Sequence, residues 1–299
     1  MTNSSLEPRW QHTIANVVRI SGTGIHTGES CKVRLRPAAD GTGRVIVKDG
    51  YWIPAVSENV TDTNRCTTIG REGTHVHTVE HLLAALYVLE IDNILIELDG
   101  PELPILDGSA EPWMRLLQEA AIEQQSVPSV VATVTETHTF EVGSSTISIE
   151  PVTAGSGLTA TAIVDFDMWP QGNCSCTWNS VVNGSHVFRN DIAPARTWAF
   201  YSEVEQLRAA GLSRGASLEN ALVITPPNGY SSELRVPQEW AKHKLLDLIG
   251  DLALVGARLE AAVTVKRPGH RSNNAAALAI CRMQPVLQVS QCKLNNEGK

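Results

Sequence analysis

Residues 243–251 read HKLLDLIGD, with His243, Asp247 and Asp251 each four residues apart. At about 100° per residue, each such step turns only about 40°, so on a helix the three polar groups form one stripe. Leu245, Leu248, Ile249, Leu252, Val255 and Leu259 form a second stripe on the opposite side, which is the pattern of an amphipathic helix. The apolar stripe explains how such a helix packs. The polar stripe would ordinarily be solvated, yet Asp is a poor residue in a helix interior, where Lys, Glu or Gln would suit a wet face better. Leu246, Leu254 and Trp240 also flank that stripe. His and Asp at i, i+4 can reach one metal ion, and a catalytic zinc takes three protein ligands plus a water. A third ligand must then come from elsewhere in the chain.

Working outward, the helix is expected over residues 237–260 with Pro237 as its first residue, followed by strands at 261–266 and 275–281. Near the amino terminus, strands are expected at 14–20, 31–36 and 44–48. A helix over 79–90 with Thr78 as N-cap, a buried strand at 94–98 and a helix from 111 to about 124 follow. The segment EQQSVPSVV (123–131) reads as a linker. Beyond it the order of elements returns, with strands near 129–136, 146–151 and 157–166 and a helix over 201–210, but no sequence repeat is visible. The expected class is α+β, in two similar domains at 1–126 and 127–299, each a mainly antiparallel sheet with helices on one face.

Composition narrows the function. A chain of 299 residues suits two ordinary domains, and its 42% apolar and 19% charged residues are those of a soluble globular protein. A net charge of −8 argues against sequence-independent nucleic-acid binding, which needs a basic surface. The start, MTNSSLEPRWQHTIANVVRI, has no apolar run of the secretory type. The most apolar stretch, 82–98, is broken by Glu90, Asp92 and Asn93 and is too polar to span a bilayer. A cytoplasmic protein without stable membrane insertion is therefore expected. The six cysteines (31, 66, 174, 176, 281 and 292) fit neither a zinc knuckle nor a disulfide framework, although Cys174 and Cys176 would share a strand face.

The best partner for the long helix is Thr78-Val79-Glu80-His81. If Thr78 caps, Glu80 and His81 fall in the first turn, near the positive end of the helix dipole. His75 and His77 compete as ligands, but His77 precedes the cap, so its i, i+4 spacing to His81 should not be helical. Farther on, Gly269-His270-Arg271-Ser272-Asn273-Asn274 follows Lys266, Arg267 and Pro268. His270 in this basic loop is either a solvated turn residue or a proton donor beside an anion-binding cluster, for which Lys266, Arg267 and Arg271 are the candidates.

Seven segments occur in a fixed order: SGTGIHTGE (21–29), TVEHLLAAL (78–86), IDNILIELDGPELPILDGSAEP (91–112), ARTWAF (195–200), GLSRGASLENALV (211–223), HKLLDLIGDLALVG (243–256) and GHRSNN (269–274). On these the chain resembles the UDP-3-O-acyl-N-acetylglucosamine deacetylases, zinc enzymes of the committed step of lipid A biosynthesis. The resemblance implies Zn2+ on His81, His243 and Asp247, Glu80 as general base and His270 as general acid, with Thr197, Lys244 and Asp251 completing the site. It also implies helices packed between two outer sheets and an acyl-chain passage formed by the insert at about 201–223, where Leu207, Leu212 and Leu218 are candidate lining. The substrate would be a small UDP-acyl-sugar and the enzyme a monomer, with no fused dehydratase domain expected. Trp198 stands where the family often has Phe, Arg271-Ser272 where small apolar residues are common, and 171–190 match nothing. A zinc amidohydrolase for another N-acylated sugar is one competing reading. A non-catalytic nucleotide-sugar-binding protein, which predicts a degraded ligand set, is another.

Overall fold

Alternating burial writes the first sheet: in the stretch SCKVRLRP, Cys31, Val33 and Leu35 point inward while Ser30 and Lys32 face water. The computed structural model describes residues 9–283. The chain begins with β1 (Trp10–Ile14), β2 (Val18–Thr23), β3 (Ser30–Pro37), β4 (Arg44–Lys48) and β5 (Tyr51–Pro54). A small three-stranded sheet of β6 (Val60–Asp62), β7 (Thr68–Arg71) and β8 (Thr74–Val76) follows, then helix α1 (Glu80–Val88), strand β9 (Ile94–Leu98) and helix α2 (Glu111–Glu119). After β10 (Ile122–Pro128) and β11 (Val131–Thr133) come β12 (His138–Val142), β13 (Ser145–Glu150), β14 (Leu158–Val164), β15 (Cys174–Asn179) and the short helix α3 (Gly184–Val187). A second small sheet of β16 (Trp198–Phe200), β17 (Leu222–Thr225) and β18 (Gly229–Tyr230) carries α4 (Tyr201–Ala209) between its first two strands. The chain then forms α5 (Glu239–Leu252), β19 (Arg258–Lys266) and α6 (His270–Met283).

The two main sheets have one topology. Their orders are β2-β3-β9-β4-β5 and β12-β13-β19-β14-β15, with β11 pairing β19 off the second path. In each, a late strand inserts into the middle, parallel to the third strand of its set (β9 on β4, β19 on β14) and antiparallel to the second. A helix precedes and a helix follows each inserted strand. The α+β class and the repeated order of elements are thus realised. Helix α5 packs against α1 and α6, and α1 against α2. Every residue of α1, and every residue of α5 except Lys244, is buried, as expected for helices covered on all sides. The polar stripe of α5 therefore does not face water. Gly250 permits the close approach: a side-chain carbon there would collide with the Glu80 carbonyl oxygen of α1.

Several expectations are corrected. The expected strand at 14–20 is two strands, and the gap between them sends the amides of Ala15 and Asn16 to the carbonyls of Ala121 and Ala120. Residues 123–131 are not a linker: β10 pairs antiparallel with β1, Ile122 opposite Ile14. This strand is so exposed and polar that nothing in its composition signals a ladder. The preceding helix stops at Glu119, and Ala121 turns the chain with a positive φ of 57°.

Helix α5 spans 239–252 rather than 237–260. Gln238 is left-handed (φ 56°), so Pro237 lies outside the helix, and Gly256 (φ 74°) turns the chain into β19. That strand is almost continuously buried, so its apolar run, including Leu259, imitates a longer helix. Residues 275–281 are helical within α6, and their Ala-rich sequence favours that state. Thr78 does not cap α1: it is left-handed (φ 59°), its hydroxyl is donated to Glu102 Oε1 at 2.6 Å, and Val79 occupies the cap. Strands β5 to β8, β12 and β16 to β18 had no sequence prediction, whereas Cys174 and Cys176 share a face of β15 as expected. Cys292 and the first eight residues lie outside the described residues. Among the described residues no helix is long and apolar enough to cross a membrane.

Candidate metal centre and active-site cavity

Glu80 and His81 are the first two residues of α1, and His243 and Asp247 lie one turn apart on α5, where that helix crosses α1. The Asp247 Oδ1 atom is 3.3 Å from His243 Nε2 and 3.8 Å from His81 Nε2. The ligand atoms of His81, His243 and Asp247 all lie within 4.8 Å of one another, and all three residues are buried. His243 Nδ1–H is donated to the Ala195 carbonyl at 3.0 Å, which leaves Nε2 as a lone pair directed at Asp247. The imidazole rings of His81 and His243 stand edge to face, 5.0 Å apart.

Burial, reinforced by His243, pushes the His81 imidazole down to about 3. Burial likewise holds His243 below its ordinary value despite the neighbouring Asp247. Burial alone would raise Asp247, but His243 and Lys244 outweigh it and hold the carboxyl well below the usual range. Two neutral imidazoles and a carboxylate are the forms in which these side chains ligate metal. Asp247 Oδ1 is a buried oxygen with no hydrogen-bond donor, while Oδ2 accepts from Lys244 Nζ at 3.1 Å. A divalent cation between the three groups would satisfy that orphaned oxygen, so the donor set fits a metal.

Beside the ligands stand two groups of opposite character. Burial pushes Glu80 up to about 8, with Asp251 and Asp247 adding to the effect against His270. Its Oε2 accepts the Thr67 amide at 3.0 Å. For His270, burial works downward, but Glu80 and Asp251 outweigh it and raise the imidazole to about 9. His270 Nε2 is 3.9 Å from Glu80 Oε1, and its Nδ1–H is donated to Asp251 Oδ2 at 3.1 Å.

Asp251, fully buried, also accepts Asn273 Nδ2 at 3.0 Å and the Thr67 hydroxyl. Asn274 Nδ2 bonds Thr67 Oγ1 at 3.0 Å and the His270 carbonyl at 2.9 Å. Sequence reasoning assigned nothing to Thr67, Asn273 or Asn274. The signal for the two asparagines was i+3 and i+4 spacing from His270, visible only if GHRSNN is read as a helix start instead of a loop. Thr67 carried no signal, because it lies 184 residues from Asp251 along the chain.

A cavity of about 310 Å3 is lined by Glu80, His81, Thr197, His243, Lys244, Asp247 and His270, with Asp251 behind His270. The eight residues that the family resemblance assigned to the site are therefore brought together. Thr197 is held by its amide on the Gly108 carbonyl (2.7 Å) and by its neighbour Arg196, which forms a buried ion pair with Glu239 at the start of α5 (2.7 Å). The Lys244 ammonium lies 5.5 Å from the Trp198 ring centroid. His75 and His77 are not part of the site; they contact Thr61 and Thr68. Nor does the basic cluster hold together, because Asp165 binds Lys266, and Asp165 and Asp167 bind Arg267. Of the three cations only Arg271 lines the cavity.

A second cavity of about 230 Å3 shares Ile25, His26, Arg65, Thr197 and Trp198 with the first. Its remaining wall is mostly apolar and comes from the 199–223 region, including Val204, Leu207, Leu218 and Leu222. Leu212 does not line it.

Comparison with known proteins identifies the family of the chain. The sequence profile of the UDP-3-O-acyl N-acetylglycosamine deacetylase family matches residues 11–282. A UDP-3-O-acyl-N-acetylglucosamine deacetylase of Myxococcus xanthus (strain DK1622) is 37% identical over 269 residues, covering 88% of this chain and 84% of the relative. That of Thermosynechococcus vestitus (strain NIES-2133 / IAM M-273 / BP-1) is 37% identical over 278 residues, covering 92% and 95%. A bifunctional LpxC/FabZ enzyme of Chlorobaculum tepidum is 36% identical over 294 residues, and the chain spans 62% of its length. With a profile match over most of its length and relatives above a third identical, the chain belongs to the UDP-3-O-acyl N-acetylglycosamine deacetylase family.

Proposed function

We propose that the protein hydrolyses the N-acetyl amide of UDP-3-O-acyl-N-acetylglucosamine, releasing acetate and UDP-3-O-acyl-glucosamine at the committed step of lipid A biosynthesis. His81, His243 and Asp247 would hold Zn2+, for which two imidazoles and a carboxylate are a suitable donor set. The observation that carries this reading is the meeting of those three ligand atoms within 4.8 Å, with Glu80 and His270 in the same cavity. When bound, zinc lowers the pKa of a water from ~15.7 to around 7 and polarises a carbonyl.

The protein's own residues divide the remaining work. Glu80 accepts the proton of the attacking water, and a nearby cation would draw its raised carboxyl back toward the range useful for a base. The Thr197 hydroxyl and the Lys244 ammonium face the oxyanion that forms. His270, held protonated by Asp251, gives a proton to the leaving amine. The apolar cavity beyond Trp198 takes the acyl chain. Cytoplasmic location and a monomeric state belong to the same proposal and are checked by cell fractionation and sedimentation.

Acetate release from UDP-3-O-acyl-N-acetylglucosamine, with chelator and zinc add-back, tests the proposal. The expected result is turnover that chelation abolishes and zinc restores. Equal turnover of the sugar lacking the acyl chain would point to a different amidohydrolase, and turnover insensitive to chelation would remove the metal from the mechanism.

A further inference from the structure

Glu102 lines neither cavity, yet it is fully buried between two segments that do. Its Oε1 accepts the Thr78 hydroxyl at 2.6 Å, and its Oε2 accepts the Thr27 amide and the Thr27 hydroxyl, each at 2.8 Å. The His26 amide is shared between both oxygens at 3.1 Å. The backbone fixes the carboxylate in turn. Residues 101–103 run beside His77, with the His77 amide on the Pro101 carbonyl (3.0 Å) and the Leu103 amide on the His77 carbonyl (3.1 Å).

Each segment leads to one half of the site. Thr78 is a β-branched residue in the left-handed region (φ 59°), a conformation that persists only where the surroundings enforce it. Glu102 and the backbone bonds at His77 enforce it here, and two residues later α1 begins with Glu80 and His81. The direction in which α1 leaves this turn sets where His81 stands against His243 and Asp247. On the other side, Ile25 and His26 line both cavities. Their carbonyls accept the amides of Gly215 (3.0 Å) and Arg214 (3.3 Å), whose neighbours Ser213 and Ala216 line the apolar cavity. Gly24 packs so closely on the carboxylate that a side-chain carbon there would collide with Glu102 Oε2.

We propose that Glu102 is a positioning residue that joins the two cavities. One of its oxygens fixes the turn that delivers His81 to the metal centre, and the other fixes the loop that walls the apolar cavity. The acyl half of this inference rests on the substrate proposed above; the metal half does not. Removing the carboxylate should therefore weaken metal binding and acyl-chain discrimination together. The need is for hydrogen-bond acceptors rather than for charge. The amides of His26 and Thr27 can only donate, whereas the Thr78 hydroxyl can also accept. In Glu102→Gln the amide oxygen can keep the backbone amides while the NH2 group donates to a reversed Thr78 hydroxyl.

The test measures three quantities in each variant: the unfolding midpoint, the Zn2+ dissociation constant from chelator competition on the zinc-loaded protein, and kcat/KM for the UDP-sugar with and without its acyl chain. Glu102→Ala should raise the dissociation constant by about tenfold or more and lower the acylated-to-unacylated ratio of kcat/KM by a similar factor. Thr78→Val cuts only the tie to α1, and should repeat the metal loss while keeping that ratio. Glu102→Gln should return both quantities close to their native values. An unchanged dissociation constant in Glu102→Ala, or in Thr78→Val should the alanine variant not fold, would overturn the proposal, because a purely structural residue lowers the unfolding midpoint and leaves the metal affinity of the folded protein intact. So would a Gln variant as impaired as the Ala variant. Equal turnover of both sugars by the native protein would instead count against the proposed substrate, and the metal titration would still decide the role of Glu102.

Discussion

Replacing Asp251 by Asn tests the division of labour in the site. Asp251 is fully buried, and its Oδ2 lies 3.1 Å from His270 Nδ1, so together with Glu80 its charge and hydrogen bond hold the imidazolium against the burial that would otherwise deprotonate it. At 3.1 Å and an effective dielectric of ~20, the Coulomb attraction is about 5 kcal/mol. At ~1.4 kcal/mol per pKa unit this sets a ceiling of roughly four units. The amide oxygen of Asn keeps part of the hydrogen bond, and opposite charges at this range typically shift a pKa by about 1–3 units. As the proposed acid, His270 is needed protonated, so the rate is lost as pH rises through its folded-state value, which Glu80 and Asp251 raise above the ordinary 6.5. In Asp251→Asn the basic limb of kcat/KM for acetate release, measured on zinc-saturated enzyme, should move down by about 1–3 units while the acidic limb moves less.

Stability should follow the same sign. A histidine raised from 6.5 to about 9 stabilises the fold fully below pH 6.5 and loses that contribution as pH rises through about 9. The stability gap between native and variant protein should accordingly be widest below pH 6.5 and close above 9. An unchanged basic limb in a variant that folds normally would show that Asp251 does not hold the charge on His270.

Three further substitutions probe the supports of the site. Arg196→Met leaves Glu239 buried without its partner at the start of α5, and should cost about 3–5 kcal/mol in denaturant unfolding; a loss below 1 kcal/mol would mean the pair is dispensable. Thr67→Val preserves shape but strips Asp251 Oδ1 of its donor, an expected loss of about 1–3 kcal/mol with a lower kcat. Equal activity and stability would remove Thr67 from the network. Gly250→Ala forces α1 away from α5, costing about 1–3 kcal/mol and weakening metal affinity because His81 rides on α1. Metal titration with an unchanged dissociation constant would refute the claim that this close contact sets the ligand spacing.

Parts of this were legible in the sequence because they obey a local period. The α5 stripe, the β3 alternation and the helix after Thr78 were each visible within a dozen residues. What failed did so for identifiable reasons. β10 is a polar strand whose only justification is β1, more than a hundred residues away. β19 is buried on both faces, so its apolar run carries no period and merges with the helix before it. Thr78 looks like a cap by residue type, yet Glu102 claims its hydroxyl from the loop after β9. The flanking Leu246, Leu254 and Trp240 also pointed to a covered stripe on α5, and the stripe opposite its apolar face is indeed covered by α1 and α6 and not by water.

The topology shows why no single window could contain the site. The sheets share one strand order, and α1 and α5 occupy the same place in their respective halves, each leading into the strand that inserts at the sheet's centre. A helix in that position covers its own sheet with one face and leaves the other for a partner. Here the partner of each is the other, so the three candidate metal ligands sit where two topologically equivalent helices cross, one supplied by α1 and two by α5. The helices that follow the inserted strands are equivalent too, but only α6 brings a titrating group, His270, to the crossing; α2 packs behind α1 and closes the core with Trp113 and Met114. A symmetric scaffold has thus been given an asymmetric set of side chains, and that asymmetry brings Glu80 from one half within 3.9 Å of His270 from the other, the pair proposed above as base and acid.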